Sequence, residues 1–524
     1  MSNTATQIEA DVLVIGGGPA GCWAAWNAAS KGASVILIEK GYVGTSGATA
    51  AGNTTTIYTR RGSAERAATV YQRIRLGHGF AEAERIERVL DRTLQNLDLL
   101  AEWGYDFPNY EDGRPYRGML RGPDYLRFMR QKLIKARVKV IDHCPVEELL
   151  LSDGVVSGAV AGAIARFRRT GETLEIRSGA VVIATGGCAF LSGAIGTNNL
   201  TGDGYLMAAE AGAVLSGMEF SAQYGISPAY SSVTKGVVYF WGTFSDEAGN
   251  VLTAPGDRQA VVASELIRGP VYAILDKADA RLQEGFRKGQ PNIFVPFDRM
   301  GVDPFTQRFP ITLRHEGTVR GTGGLKIDER STTTVPGLFA AGDAATRQGM
   351  SGASTGGGGP NSSWAIATGS WAGEDAATFV RSLGSVWKSR PVRPANERAA
   401  VSAGTAHGDL DAALEQAKNQ ILPLDGGYFR SHESLSRAAR TLSDLWHDTA
   451  WRSGPAAKVR EAEALIATAR WATESALLRK ESRGLQRRTD YPQANPHLAR
   501  SIDSGGIGKI WTSLQSQQRL SAAS

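Results

Sequence analysis

The sequence predicts an α/β chain in three parts: a sheet of buried parallel strands, an inserted α+β stretch, and a helical C-terminal part. Three observations carry this. A glycine turn, Gly16–Gly21 (GGGPAG), joins the β-branched run Asp11–Ile15 to an alanine-rich stretch with helical spacing. Further short apolar runs at Ala33–Glu39, Ala180–Ala184 and Gly337–Ala341 read as strands buried on both faces. From about residue 400 helical periodicity dominates, most clearly in Lys458–Glu481, where Ala462, Leu465, Ala469, Ala472 and Ala476 form one apolar face.

Taken in order, strand Asp11–Ile15, a helix ended by Gly32 and strand Ala33–Glu39 make one βαβ unit. Stretches 63–104 and 124–136 carry helical spacing, and Leu149–Ile176 reads as a hairpin turning at the charged segment 168–172. Ala180–Ala184 ends in Thr185-Gly186-Gly187. Residues 218–313 hold several prolines and no clear period, so they are expected to be an insertion. The expected division is 1–217 plus 314–385, then 218–313, then 386–524.

Composition narrows the function classes. A chain of 524 residues has room for two or three domains at about 150 residues each. It holds 62 glycines without a triplet period, 20 prolines and 42% apolar residues, which excludes collagen and low-complexity disorder. Three cysteines cannot supply a disulfide framework or the four thiolates of an iron–sulfur cluster. No apolar run approaches the roughly 20 residues of a membrane span, and no basic region precedes an apolar stretch at the N-terminus, so a cytoplasmic protein is expected. The net charge of +6 is spread out. The clusters Arg166–Arg169, with Phe167 its one aromatic, and Arg483–Arg488 lack the repeated interleaved aromatics of a strand-binding platform, so no nucleic-acid partner is expected. The basic balance reads as a solvated surface, or as attraction for an acidic substrate or electron carrier.

The Gly16–Gly21 motif has the residues a dinucleotide site needs. Gly16 permits the tight turn, Gly18 lets backbone approach a pyrophosphate, Pro19 and Ala20 open a helix whose N-terminus faces the phosphates, and Gly21 lets helix and strand pack closely. Glu39, at the end of the next strand, suits ribose hydroxyls and would repel a 2′-phosphate. After Glu39 the chain continues through the small-residue segment Ser46–Asn53 (SGATAAGN) rather than a second βαβ unit. Two later strands end in small or acidic residues, at Thr185-Gly186 and at Asp343. Ligands bind at strand C-termini in such sheets. An extended cofactor such as FAD fits three such ends, with Asp343 available to a ribityl hydroxyl.

Together these stretches resemble the succinate dehydrogenase/fumarate reductase flavoprotein family, which includes L-aspartate oxidase. The likeness runs through 16–21, 46–53, 183–187, 201–213, 218–220, 335–344 and 479–492. It implies a Rossmann-like FAD-binding domain, a capping domain over the substrate and a C-terminal helical domain. By motif and resemblance the cofactor set is Gly16, Gly18, Pro19, Ala20, Gly21, Glu39, Lys40, Ser46, Gly47, Val146, Thr185, Gly186, Asp203, Asp343, Asn361 and Ser362. Asn361-Ser362 would begin a helix near the flavin, and the preceding Gly356–Gly359 reads as close approach or as a linker. Family members that attach FAD covalently do so through a histidine where this chain has Gly47, so FAD is expected to be non-covalent. No metal site is expected.

The substrate side departs from the family pattern. Gln223 and Tyr224 fall where dicarboxylate-using members carry a histidine, Val319 and Arg320 fall at a second histidine position, and 352–362 lacks the family's clamping arginine. Succinate, fumarate and aspartate thereby lose charge-assisted partners. Gln223, Tyr224 and Arg314 are the expected substrate contacts. Arg268, His315 and Arg320 are the catalytic candidates, Arg268 equally readable as a surface ion pair and His315 as a structural loop residue. The resemblance implies a soluble FAD-dependent oxidoreductase moving hydride between a small organic substrate and flavin N5. A looser likeness of 218–244 to the adenylylsulfate reductase alpha subunit offers an alternative, with a small ferredoxin-like iron–sulfur partner. A non-enzymatic FAD-binding component is the third reading.

Overall fold

The computed structural model describes residues 6–153, 158–234, 236–253, 257–355, 357–396 and 409–516. Its main element is an eight-stranded sheet. Strand Thr6–Ile15 lies at the centre, parallel to Val35–Ile38 on one side and to Thr173–Ile183 on the other. Lys139–Ile141 extends it in parallel beyond Val35–Ile38, and Leu338–Ala340 pairs in parallel with Thr173–Ile183. Val12, Leu13 and Val14 are fully buried because helices cover both faces, which explains the unbroken apolar runs. The hairpin read in 149–176 is present, with Val146–Ser152 antiparallel to Val160–Arg166 and the latter antiparallel to Thr173–Ile183. The α/β fold class is therefore as expected.

Helix Pro19–Ser30 follows the glycine turn directly, and helix Gly358–Leu383 packs along it. Small residues make this possible. A Cβ at Gly369 would lie 2.3 Å from Ala20 O and one at Gly373 2.1 Å from Ala24 O.

A second, antiparallel sheet has the order Tyr224–Pro228, Phe309–His315, Val271–Ile274, Thr243–Ser245. It encloses its own apolar core, including Phe244, Val271, Phe294, Phe297 and Phe309. Helices Arg258–Arg268, Ala280–Gly289 and Pro291–Met300 accompany it.

Helices Leu410–Ile421, His432–His447 and Ala456–Leu478 form the helical C-terminal part. The chain beyond 386 is more than helical, however. Val392–Pro394 adds an edge strand to the large sheet, and Ile502–Gly505 pairs with Leu215–Ser216. A buried ion cluster joins these regions: Arg479 Nε donates to Glu219 Oε1 and Arg479 Nη1 to Glu481 Oε1, each at 2.8 Å with all three side chains sealed from solvent. Removing one member of such a cluster leaves an uncompensated buried charge, which costs about 3–5 kcal/mol. Among the described residues no helix is long and apolar enough to cross a membrane.

Candidate functional site: a cavity between the two sheets

A cavity of about 1490 Å³ runs from the C-terminal edge of the large sheet to the second sheet. Of the sixteen cofactor residues read from the sequence, Gly16, Gly18, Pro19, Ala20, Glu39, Lys40, Ser46, Gly47, Val146, Thr185, Gly186, Asp203, Asp343, Asn361 and Ser362 line it. Gly21 stands behind the wall. A Cβ there would lie 1.8 Å from Gly16 O, so its role is close packing beneath the turn. Gly16 has φ +106°, a conformation glycine adopts without strain.

The polar groups on this side are held in place. Glu39 accepts from Gly17 N at 2.7 Å through Oε2 and from Gly41 N at 2.8 Å through Oε1. Lys40 Nζ donates to Thr201 Oγ1 at 2.9 Å and to Asp203 Oδ2 at 2.6 Å. Burial alone would lower the Lys40 pKa, but Asp203 and Glu461 outweigh it and hold it above the ordinary lysine value. Asp343 Oδ1 accepts from Arg347 Nη1 at 2.5 Å, yet burial keeps its carboxyl pKa above the usual range against that arginine's opposing pull. Gly356 of the glycine tetrad lies outside the described residues. Gly357 and Gly358 line the cavity at the start of helix Gly358–Leu383.

Two features match this wall to FAD. The amide Oδ1 and Nδ2 of Asn361 are buried without a partner while the residue lines the cavity. A Cβ at Gly18 would meet no atom within 4 Å, so the turn opens onto free space in front of the helix N-terminus. The N-termini of helices Pro19–Ser30 and Gly358–Leu383 both border the cavity, each offering a positive dipole end of the kind that suits a pyrophosphate or a reduced ring.

The substrate candidates are placed differently. Gln223 and Tyr224 line the cavity, but Gln223 Nε2 donates to Tyr224 O at 2.8 Å and Tyr224 Oη reaches Ile421 O and Leu422 O, each at 3.1 Å. Arg314 is outside the cavity lining, and its Nε donates to Ser231 O at 2.8 Å. His315 is buried, edge-on to Tyr224 at 4.6 Å and to Phe190 at 5.2 Å, with Nδ1 accepting from Gly317 N at 3.0 Å. Burial, aided by Arg430, pushes its pKa down to about 3, so it stays neutral near pH 7. Arg268 is not brought to the cavity: its side chain is 76% exposed and lies 3.5 Å from Glu265, one turn back on a surface helix. Arg320 does line it, with Nε 3.9 Å from Glu316 Oε1.

Sequence reasoning missed several lining residues. Glu316 is buried on the wall and accepts from Thr234 Oγ1 at 2.7 Å. A Cβ at Gly225 would lie 2.9 Å from Glu316 Oε2, so that glycine makes room for the carboxylate. Its position directly after His315 was the one available signal. Arg460 and Glu461 reach the cavity from helix Ala456–Leu478, which the sequence marks only as amphipathic.

A doubly wound sheet with this wall at its strand ends defines an FAD-binding flavoprotein oxidoreductase. Comparison with known proteins agrees. The chain matches a model of the FAD binding domain over residues 11–226 and one of the fumarate reductase flavoprotein C-terminal domain over 419–501. It is similar in sequence to fumarate reductase and L-aspartate oxidase flavoproteins. A fumarate reductase (CoM/CoB) chain from Methanothermobacter marburgensis is 26% identical, covering 94% of this chain and 96% of the relative. An L-aspartate oxidase from Agrobacterium fabrum is 27% identical, covering 93% and 92%. Among solved structures, E. coli quinol fumarate reductase FrdA superposes with a TM-score of 0.81 at 21% identity, covering 99% of both chains. Adenylylsulfate reductase from Archaeoglobus fulgidus gives 0.78 at 20%, covering 98% and 97%. At these identities the two structures share the fold.

Proposed function

We propose that this flavoprotein exchanges a hydride and a proton with a small organic substrate other than succinate, fumarate or aspartate, and that it holds FAD without a covalent bond. Bound FAD supplies the two-electron acceptor or donor. Gly18, the N-terminus of helix Pro19–Ser30 and Glu39 hold its adenine-side phosphates and ribose, while Asp343, Asn361 and the start of helix Gly358–Leu383 hold the flavin side. The second sheet and its helices act as the cap that excludes water. At the seam, Glu316 takes or returns the substrate proton, held by Thr234 and faced by Arg320.

The observation that carries the substrate reading is the engagement of Gln223, Tyr224 and Arg314 with the protein's own carbonyl groups. Groups already bonded to backbone are not free to clamp two carboxylates. The M. marburgensis and A. fabrum relatives support redox use of the same cavity.

All three cysteines are buried, and among the described residues no group of three or more His, Cys, Asp or Glu is placed to hold a metal. We assign the electron acceptor to a molecule outside this chain, either a small oxidant or an iron–sulfur partner.

Anaerobic titration of the purified protein with carboxylates, amino acids and sulfur compounds tests the reading. Succinate and aspartate should leave the flavin absorbance unchanged, and fumarate should not reoxidise the chemically reduced protein. Rapid bleaching by succinate or aspartate would overturn the exclusion. Acid precipitation should release all the yellow flavin into the supernatant.

A further inference from the structure

Beyond Glu316 the cavity wall changes character. Val237, Phe240 and Val251 stand on it 43%, 69% and 60% exposed, and Phe244 and Phe286 line it beside them. Large apolar groups gathered on one concave surface mark a place for apolar matter. Arg258 opens helix Arg258–Arg268 within this wall. Its Nη1 donates to Tyr239 O at 2.7 Å, and its guanidinium lies 5.0 and 5.4 Å from the ring centres of Phe240 and Phe244.

Among the described residues no carboxylate forms an ion pair with Arg258. The neighbouring Asp257 is engaged elsewhere: Oδ1 accepts from Gln259 N and Ala260 N, and Oδ2 from Arg487 Nη2 at 3.2 Å. Lys277 lines the same wall and donates to Gly242 O at 3.3 Å, again without an acid partner among the described residues. Burial holds the Arg258 pKa below the ordinary arginine value, though the group stays charged. The cations on the opposite side of the cavity are neutralised, Lys40 by Asp203 at 2.6 Å and Arg460 by Glu210. A half-buried guanidinium among aromatic rings is complementary to an oxyanion carried on a flat apolar body.

We propose that this wall is a subsite for the non-reacting part of the substrate: an aromatic body bearing a single carboxylate. The carboxylate binds Arg258, with Lys277 nearby, and the ring lies against Phe240, Phe244 and Phe286. The proposal rests on reading the cavity as the site shared by FAD and substrate. It also gives the substrate an identity that the engaged Gln223 and Tyr224 leave open, since remote binding of this kind positions the reacting end at the seam.

Calorimetric titration of the FAD-loaded full chain tests it, with phenylpropanoate, phenylpropanamide and succinate as probes. Phenylpropanoate should bind, and the amide should bind roughly tenfold more weakly for want of a charge-assisted hydrogen bond. Arg258→Gln should bring the acid down to the level of the amide and leave the amide unchanged. Arg258→Lys should retain part of the preference. Phe240→Ala, at an exposed position, should weaken both ligands alike. No binding of phenylpropanoate, equal or tighter binding of succinate, or equal loss of acid and amide in Arg258→Gln would each overturn the subsite. Flavin absorbance of each sample reports separately on the FAD reading, because a protein that never carries flavin overturns that reading whatever the calorimetry shows.

Discussion

On the glycine-rich side of the cavity, backbone and side chains are locked against one another. Glu39, Lys40 and Asp343 each have fixed partners there, and Gly21 cannot carry even a methyl group. On the side of the second sheet, Gln223 and Tyr224 turn to the protein's own carbonyls. Phe240 is exposed there, and among the described residues Arg258 has no acidic partner. Under the proposed function the difference follows from what each side binds. A cofactor of constant shape rewards a rigid cradle, whereas a substrate wall can change residue by residue without disturbing the sheet that carries the cradle.

The largest test of this contrast is Gly21→Ala. Overpacking of a tight site costs about 1–3 kcal/mol, and it would displace the Gly16 turn that we propose cradles the pyrophosphate. The variant should purify with little or no flavin absorbance and a lower Tm. Next, Arg320→Gln at the seam should keep its flavin yet lose roughly a hundredfold in the rate of flavin reduction by the substrate, the lower end of what positioned proton transfer contributes. A variant that lost flavin instead would place Arg320 in the cradle.

A smaller effect concerns His315. Its folded-state pKa of about 3 lies below the ordinary histidine value of 6.5. As pH falls below 6.5 the unfolded chain takes up a proton that the folded protein refuses until about 3, so stability present above 6.5 is lost through that window. His315→Phe should be less stable at pH 7, since Gly317 N loses its acceptor, but should lose less stability between pH 7 and pH 5 in urea unfolding. Equal slopes would mean that the imidazole is not held neutral. The smallest expected effect is that of Arg268→Ala. Its side chain is exposed and outside the cavity lining, so flavin content and turnover should match the parent protein. A large loss of turnover would bring the helix it sits on into the catalytic machinery.

Much of the cradle was legible because its signals are local. Gly16–Gly21 between two apolar runs, with Glu39 closing the second, specifies a turn, a helix N-terminus and a carboxylate within one βαβ unit. Asp343 and Asn361 were readable from the motifs around them. The seam was not, because Glu316, Thr234 and Gly225 meet only through the antiparallel pairing of Tyr224–Pro228 with Phe309–His315, strands far apart in the chain. Arg268, readable from the sequence either as an active-site group or as a surface ion pair, is the opposite case. A short motif suggested an active-site arginine, but the helix carrying it presents that position to solvent.

Short-range patterns of burial, glycine placement and charge were enough to read the α/β class and FAD as the cofactor, and to show the likeness to the fumarate reductase flavoproteins. The long-range fold alone left Arg314 and Arg268 outside the cavity lining, buried His315 against Tyr224 and Phe190, and set Arg258 on the cavity wall. Such placements depend on strand register and helix rotation, and a rotation of one residue on a helix, or a slip of one in a strand, moves a side chain from cavity to core or solvent.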